Sequence, residues 1–265
     1  MGGLPFFYQL CNKMKPIIFA GLIVVMTTLA GWRSQLKPSG VGDPGFAVVE
    51  LFTSEGCSSC PPADELIAQI QKEENDRSVY ILAYHVDYWD RLGWKDGFSS
   101  ATFTGRQRQY ANWLRLSSVY TPQIVVNGKK EFVGSDAKTL RTTVENDLKA
   151  TASAQLSLNS LRQDKHGLEW SWQAGGTKKA VSLVVALVQR SAVTNVKAGE
   201  NGGKTLSHVQ IVRGMEVIDT DGKGSGTGRM DWPVGVKPGD MEVIAFLQDK
   251  SSGEIIAASR IEKII

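Results

Sequence analysis

Two cysteines three positions apart, in Gly56-Cys57-Ser58-Ser59-Cys60-Pro61-Pro62, are the residues of this chain best suited to chemistry. Two intervening residues keep the second sulfur within reach of the first. One thiolate can then attack a disulfide, and the other can resolve the mixed disulfide that forms. The pattern follows an apolar run of strand length, Phe46 to Phe52, and precedes a helix whose first turn suits the two prolines. A thiolate at that junction feels the first-turn N–H groups, which lower its pKa. On this reading Cys57, at the helix mouth, attacks, and Cys60, inside the first turn, is shielded and resolves. The same spacing suits half of a zinc site or an inert structural disulfide. Zinc needs four ligands, or three with a water, and His85, His166 and His208 are widely spaced and form no ligand pair. A pair of soft thiolates also suits copper. Spacing alone leaves these readings open.

His85 stands near the carboxyl end of a second buried run, Val79 to Val86. In an open parallel sheet that end faces the loop delivered by the first strand. His85, Asp87, Tyr88 and Trp89 are therefore expected around the cysteines. His85 would serve as proton shuttle or thiolate partner; the competing role is to order the aromatic insert from Asp87 to Phe103. Glu50 is a candidate acceptor for the resolving thiol's proton, or a plain edge contact. Arg106 and Arg108 read as a solvated helical face. Residues 198–205 narrowly miss a phosphate loop: the leading glycine falls one place late and no helix signal follows. Asp219 to Gly222 read as a turn, since no acidic residue closes a calcium loop of the right length.

The elements that must position these residues open as strand–helix–strand, right-handed and parallel. Ala63, Leu66, Ile67 and Ile70 give the helix an apolar stripe, and Asp64 and Glu65 complement its dipole. Gly105 to Leu116 read as a second helix. Thr121-Pro122 leads into a strand, Gln123 to Val126, then an Asn127-Gly128 turn and a return strand, Lys130 to Gly134. Ser135 or Asp136 caps a last helix to about Lys149. Beyond Thr151 apolar and polar residues alternate, in runs such as Leu168 to Trp172, Val181 to Val188, His208 to Met215, Met241 to Leu247 and Ile255 to Arg260. With no helical pattern between them, these strands predict a small antiparallel sandwich.

Residues 46–149 resemble the thioredoxin superfamily, on the strand Val48 to Phe52, the Cys57/Cys60 pair, and Thr121-Pro122 before a hairpin. The resemblance implies a cis Pro122 facing the cysteines, with Pro122 and Thr121 lining the groove for a substrate strand. A narrower resemblance covers nearly the whole mature chain. Glu50 to Asp64, His85-Val86-Asp87-Tyr88-Trp89-Asp90, and Phe103 to Tyr110 with Arg106, Gln107 and Arg108 look like the hallmarks of a secreted bacterial thioredoxin-like family without assigned function. Together these imply an α/β thioredoxin-like domain at 46–150 followed by an all-β, antiparallel, sandwich-like domain at 151–265. Tyr88, Trp89 and Thr121 are expected to contact substrate. The chain departs from the superfamily's reductases: Gly56 replaces the usual tryptophan, the intervening pair is Ser-Ser, and a nearby Glu55 opposes thiolate formation.

The chain has 265 residues, 42% of them hydrophobic, enough for a substantial core without a disulfide mesh. A net charge of +3 without a dense Lys/Arg stripe argues against nucleic acid as partner. Residues 1–31 read as a signal peptide or anchor: Lys13 and Lys15, an apolar run from Ile17, and Thr28-Leu29-Ala30 as a cleavage site, with Met14 an alternative start. Residues 32–45 read as a linker, and cleavage would also remove Cys11. The folded part is then periplasmic or secreted, touching membrane only through its N-terminal segment. The expected activity is an exported thiol–disulfide oxidoreductase acting on cysteine-containing envelope proteins or a redox partner, with no cofactor. The alternatives are a binding or assembly protein with a structural disulfide, and a metal-handling protein.

Overall fold

The computed structural model describes residues 44–265 apart from 165, 166, 178, 179, 263 and 265. The signal segment, Cys11, most of the linker and His166 lie outside the described residues. β1 (Ala47–Thr53) is buried at every position, as a strand with both faces covered requires. α1 (Pro61–Glu73) follows with its prolines in the first turn, then β2 (Val79–His85). A 3-10 turn, Asp87–Leu92, opens the aromatic insert. α2 (Ala101–Leu114) begins four residues earlier than its sequence pattern suggests, because the Ser100 hydroxyl caps it by accepting from the Thr102 N–H. β3 (Gln123–Val126) and β4 (Lys130–Val133) form the Asn-Gly hairpin, and Asp136 caps α3 (Ala137–Lys149).

The remaining strands are β5 (Gln155–Gln163), β6 (Gly167–Gly175), β7 (Val181–Asn195), β8 (Thr205–Asp219), β9 (Ser225–Asp231), β10 (Met241–Asp249) and β11 (Ile255–Ile261). They divide between two sheets. β7, β8, β10 and β11 join β1 to β4 in one mixed eight-stranded sheet of order β11-β10-β7-β8-β2-β1-β3-β4. β5, β6 and β9 make a separate antiparallel sheet. The large sheet crosses residue 150 through a parallel seam, where Ala83 of β2 lies opposite Ile211 of β8. The sequence pattern does not predict β9, because two glycines and few β-branched or aromatic residues weaken its strand signal. Its glycines lie opposite tryptophans, Gly228 against Trp170 and Gly226 against Trp172. A Cβ at Gly228 would stand 2.5 Å from the Trp170 ring.

Three apolar clusters hold these layers. One packs Ala63, Leu66, Ile67 and Ile70 of α1 on Val49, Leu51, Ile81 and Ile124. On the other face Val48, Phe52, Leu82 and Tyr84 meet Phe103 and Tyr110 of α2 together with Val184, Val212 and Phe246. The third sets Trp170 and Trp172 over Leu183, Val185 and Val243.

Arg106 corrects a sequence expectation: it is buried, not on a solvated face. Its Nε donates to Glu50 Oε1 at 2.5 Å, its Nη2 to the Tyr110 hydroxyl at 2.9 Å and its Nη1 to Gln248 at 3.2 Å. The Tyr110 hydroxyl donates in turn to the other Glu50 oxygen. Burial pushes the guanidinium pKa down, but Glu50 together with Tyr110 and Tyr84 outweighs this and the pKa is raised. Both Glu50 oxygens are thus engaged on the α2 face of β1, so Glu50 is not free to serve the cysteines as a proton acceptor. Arg108, two positions on, is exposed.

Candidate functional site

The loop from β1 to α1 turns tightly, with Cys57 N–H bonded to Ser54 O and Cys60 N–H to Cys57 O. This brings the sulfurs together as a Cys57–Cys60 disulfide, with Cα atoms 5.4 Å apart. Cys60 stands at the N-cap position of α1, where its carbonyl accepts from the Ala63 and Asp64 N–H groups. Neither cysteine has exposed surface, so Cys57 is as shielded as Cys60. Ser58 and Ser59 between them are exposed, and the Ser59 hydroxyl is 3.4 Å from Cys57 Sγ.

Part of the cover comes from the far end of the β7–β8 hairpin. Asn201, fully buried, donates from Nδ2 to Glu55 O at 2.8 Å and Cys57 O at 2.9 Å. Glu200 Oε2 accepts from the Ser58 N–H at 3.0 Å. These residues belong to the segment whose glycines resembled a phosphate loop. Its glycines instead build the turn that closes the hairpin, with positive φ at Gly199 and Gly203.

The 3-10 insert supplies a second wall. A Cβ on Gly56 would stand 3.1 Å from Trp89 Cβ and 3.6 Å from its carbonyl oxygen, so the insert's chain at Trp89 limits the room for a larger residue before Cys57. Trp89 Nε1 donates to the Thr121 hydroxyl at 2.8 Å. The Thr121–Pro122 peptide is cis. Pro122 lies beside the first turn of α1, since a Cβ on Gly134 would meet both Pro122 and Ala63 within 3.1 Å. Trp89, Thr121 and Pro122 thus gather around the β1–α1 loop. The Tyr88 hydroxyl donates to Gln107 of α2 at 3.3 Å and also interacts with the Thr121 side chain.

His85 belongs to a buried ionisable cluster. Its Nδ1 is 2.6 Å from Asp96 Oδ2, which also accepts the Glu55 N–H at 2.9 Å. The His85 ring meets the His208 ring edge-on at 4.9 Å. His208 lies between two carboxylates, Nε2 3.4 Å from Glu55 and Nδ1 3.9 Å from Asp64. The other Glu55 oxygen accepts from Trp94 Nε1 at 2.7 Å. Burial pushes the Asp64 carboxyl up to about 6, although His208, His85 and the Thr53 hydroxyl pull it down. Burial alone would lower the His85 pKa, but Asp96, Asp64 and Glu55 outweigh it and raise it. Burial likewise opposes ionisation of Asp96, yet His85 and two backbone N–H groups hold its pKa below the usual carboxylate value. Glu55 leads into the cysteine loop and Asp64 follows Cys60 by one helical turn, so the cluster flanks the disulfide in sequence on both sides. Among the described residues no group of three or more His, Cys, Asp or Glu side chains is arranged to hold a metal ion.

Sequence reasoning weighs Asn201 only within a failed phosphate loop and His208 only as a zinc ligand, and misses Asp96 and Trp94. The first two lie well over a hundred residues beyond the cysteines, on strands and turns that carry no catalytic pattern. Asp96 sits within the insert, where only its proximity to His85 offered a signal.

A family model described as a protein of unknown function, DUF1223, matches residues 48–248. Among solved structures, a structural-genomics protein of Agrobacterium tumefaciens is 28% identical, with a TM-score of 0.62, over 83% of this chain and 96% of that one. HBP35 of Porphyromonas gingivalis is 18% identical, with a TM-score of 0.59, over 83% of this chain and 76% of that one, a likeness of fold alone. Comparison with curated proteins returns no match.

Proposed function

We propose that this chain, which belongs to the DUF1223 family of proteins of unknown function, is an exported thiol–disulfide redox protein acting on cysteines of envelope proteins. The observation that carries the reading is the Cys57–Cys60 disulfide at the start of α1, at the carboxyl end of β1. The cis Thr121–Pro122 peptide beside that turn supports it. It also supports taking residues 46–149 as a thioredoxin-like unit. The buried carboxylate–imidazole cluster adds groups able to hold and release protons near neutrality.

In the proposed exchange a partner thiolate attacks one sulfur of the pair. The S–S bond breaks, a mixed disulfide forms, and the departing cysteine thiolate takes up a proton. The partner's second thiol, losing its proton, then attacks the mixed disulfide. Two electrons and two protons pass from the partner's dithiol to this pair, and the partner leaves as a disulfide. The reverse sequence, starting from the reduced pair, reduces a partner disulfide. Export rests on the N-terminal segment, whose basic and apolar residues suit a signal peptide.

One observation favours a second reading: the disulfide is wholly buried, as in a binding or assembly protein that uses it as a staple. The test is equilibration with glutathione, together with partner trapping in a Cys60→Ala variant expressed in its export compartment. The redox reading expects a measurable reduction potential and Cys57-linked mixed disulfides. A pair that glutathione never reduces, and a variant that traps nothing, would establish the staple.

A further inference from the structure

Building on the redox reading above, we propose that Asn201 is a specificity-determining residue. The β7–β8 tip that it anchors slows small thiols at the disulfide, without changing the equilibrium they reach, and favours reduction by a protein dithiol that displaces the tip.

Thiol–disulfide exchange needs a sulfur that the incoming thiolate can reach. Here neither cysteine has exposed surface, so something must move first. The tip is built to be that part. Residues 196–204 are exposed apart from Val196 and Asn201, so little apolar burial resists their lifting. Their hold on the cysteine loop is polar. Asn201 bridges the Glu55 and Cys57 carbonyls, its Oδ1 accepts from Lys204 Nζ at 2.9 Å, and Glu200 accepts from the Ser58 N–H. Glycines at 199 and 203, both at positive φ, form the turn itself. Segments fixed by a few exchangeable hydrogen bonds and little buried surface open locally without unfolding the rest.

The same contacts explain the discrimination. Lifting the tip strips an N–H donor from two carbonyls and an acceptor from the Ser58 amide. A polypeptide laid along the exposed Ser58-Ser59 edge carries N–H and C=O groups to replace both. Dithiothreitol carries no amide, so it must wait for spontaneous opening.

The test follows disulfide reduction over time by alkylation and mass spectrometry. It uses dithiothreitol and a reduced thioredoxin as reductants, on the wild-type chain, Asn201→Ala and Glu200→Ala. Loss of the Asn201 bridges is expected to raise the dithiothreitol rate about tenfold or more, from two net hydrogen bonds. The thioredoxin rate should rise less, so the ratio between reductants narrows. Glu200→Ala, on an exposed residue making one bond, should give a smaller change in the same direction and serves if Asn201→Ala melts without cooperativity. Unchanged dithiothreitol rates in both variants, or an unchanged ratio between reductants, would overturn the gate. The two readings fail separately. Faster reduction in Asn201→Ala without any trapped partner in Cys60→Ala leaves the gate standing and removes the redox role. Trapped partners with unchanged rates do the opposite.

Discussion

Asp64 follows Cys60 by one turn of α1 and is buried among His208, His85, Thr53 and Asp96. Its unfolded carboxyl ionises near 3.8 and its folded one near 6. A carboxyl raised in this way penalises the fold once it ionises, so stability falls by about 3 kcal/mol as pH rises from about 4 through 6. The raised His85 acts in the same direction: its contribution is present below its ordinary value and is lost as pH rises through the raised one. Asp96, whose pKa is lowered, contributes above its ordinary value and loses that as pH falls. We expect Asp64→Asn to lose about 2–3 kcal/mol less than wild type between pH 4 and 7 in urea titrations. Parallel pH profiles for the two proteins would refute this. Asp64 was legible in sequence only as a first-turn acid, and Arg106 only as one of two helical arginines. Nothing local marks a carboxylate or guanidinium as buried, because the partners that satisfy it, His208 and Glu50, come from distant strands.

Among elements, the hairpins show both how far sequence reaches and where it stops. Asn127-Gly128 reads directly as a turn and is one, with φ of 48° and 65°. What sequence does not show is that this turn also binds the molecule together. Asn127 Oδ1 accepts from the Val48 N–H at 2.7 Å, Nδ2 donates to Phe46 O and Asp147, and its carbonyl accepts from the Ile255 N–H. A Cβ on Gly128 would stand 1.8 Å from the Gly253 carbonyl oxygen. Gly128→Ala therefore meets both a positive φ and a backbone clash, and is expected to cost about 2 kcal/mol or more by chemical denaturation. A loss below about half a kcal/mol would show the two turns to be free of each other. The β7–β8 tip is the contrasting case. Its glycine-rich sequence announces a turn, but its role depends on where two 15-residue strands carry it. β9 is intermediate: alternating glycines at 226 and 228 and alternating tryptophans at 170 and 172 are a matched pair, readable only once their register is known.

For the whole molecule, the change of sequence character near residue 150 is real, but the large sheet runs past it. Val48, Phe52, Leu82 and Tyr84 share one cluster with Val184, Val212 and Phe246, and Arg106 reaches Gln248 across the same core. A fragment ending at residue 150 would expose that face of its sheet to water. We expect it to show no cooperative thermal transition by circular dichroism, whereas the full chain melts in one. A fragment that melts cooperatively would mean that β1 to α3 fold alone.

Two tryptophans neighbour the residues that lead into Cys57. Trp89 runs alongside Gly56, and Trp94 donates to Glu55 two residues before Cys57. A disulfide takes an electron from an excited indole close by and darkens its emission, whereas a pair of thiols does so far less. Oxidised protein should therefore be dim and reduced protein bright, and Trp89→Phe should remove much of the difference. If so, the molecule signals its own electron count in ultraviolet light, and the opening of the bond can be timed without a label.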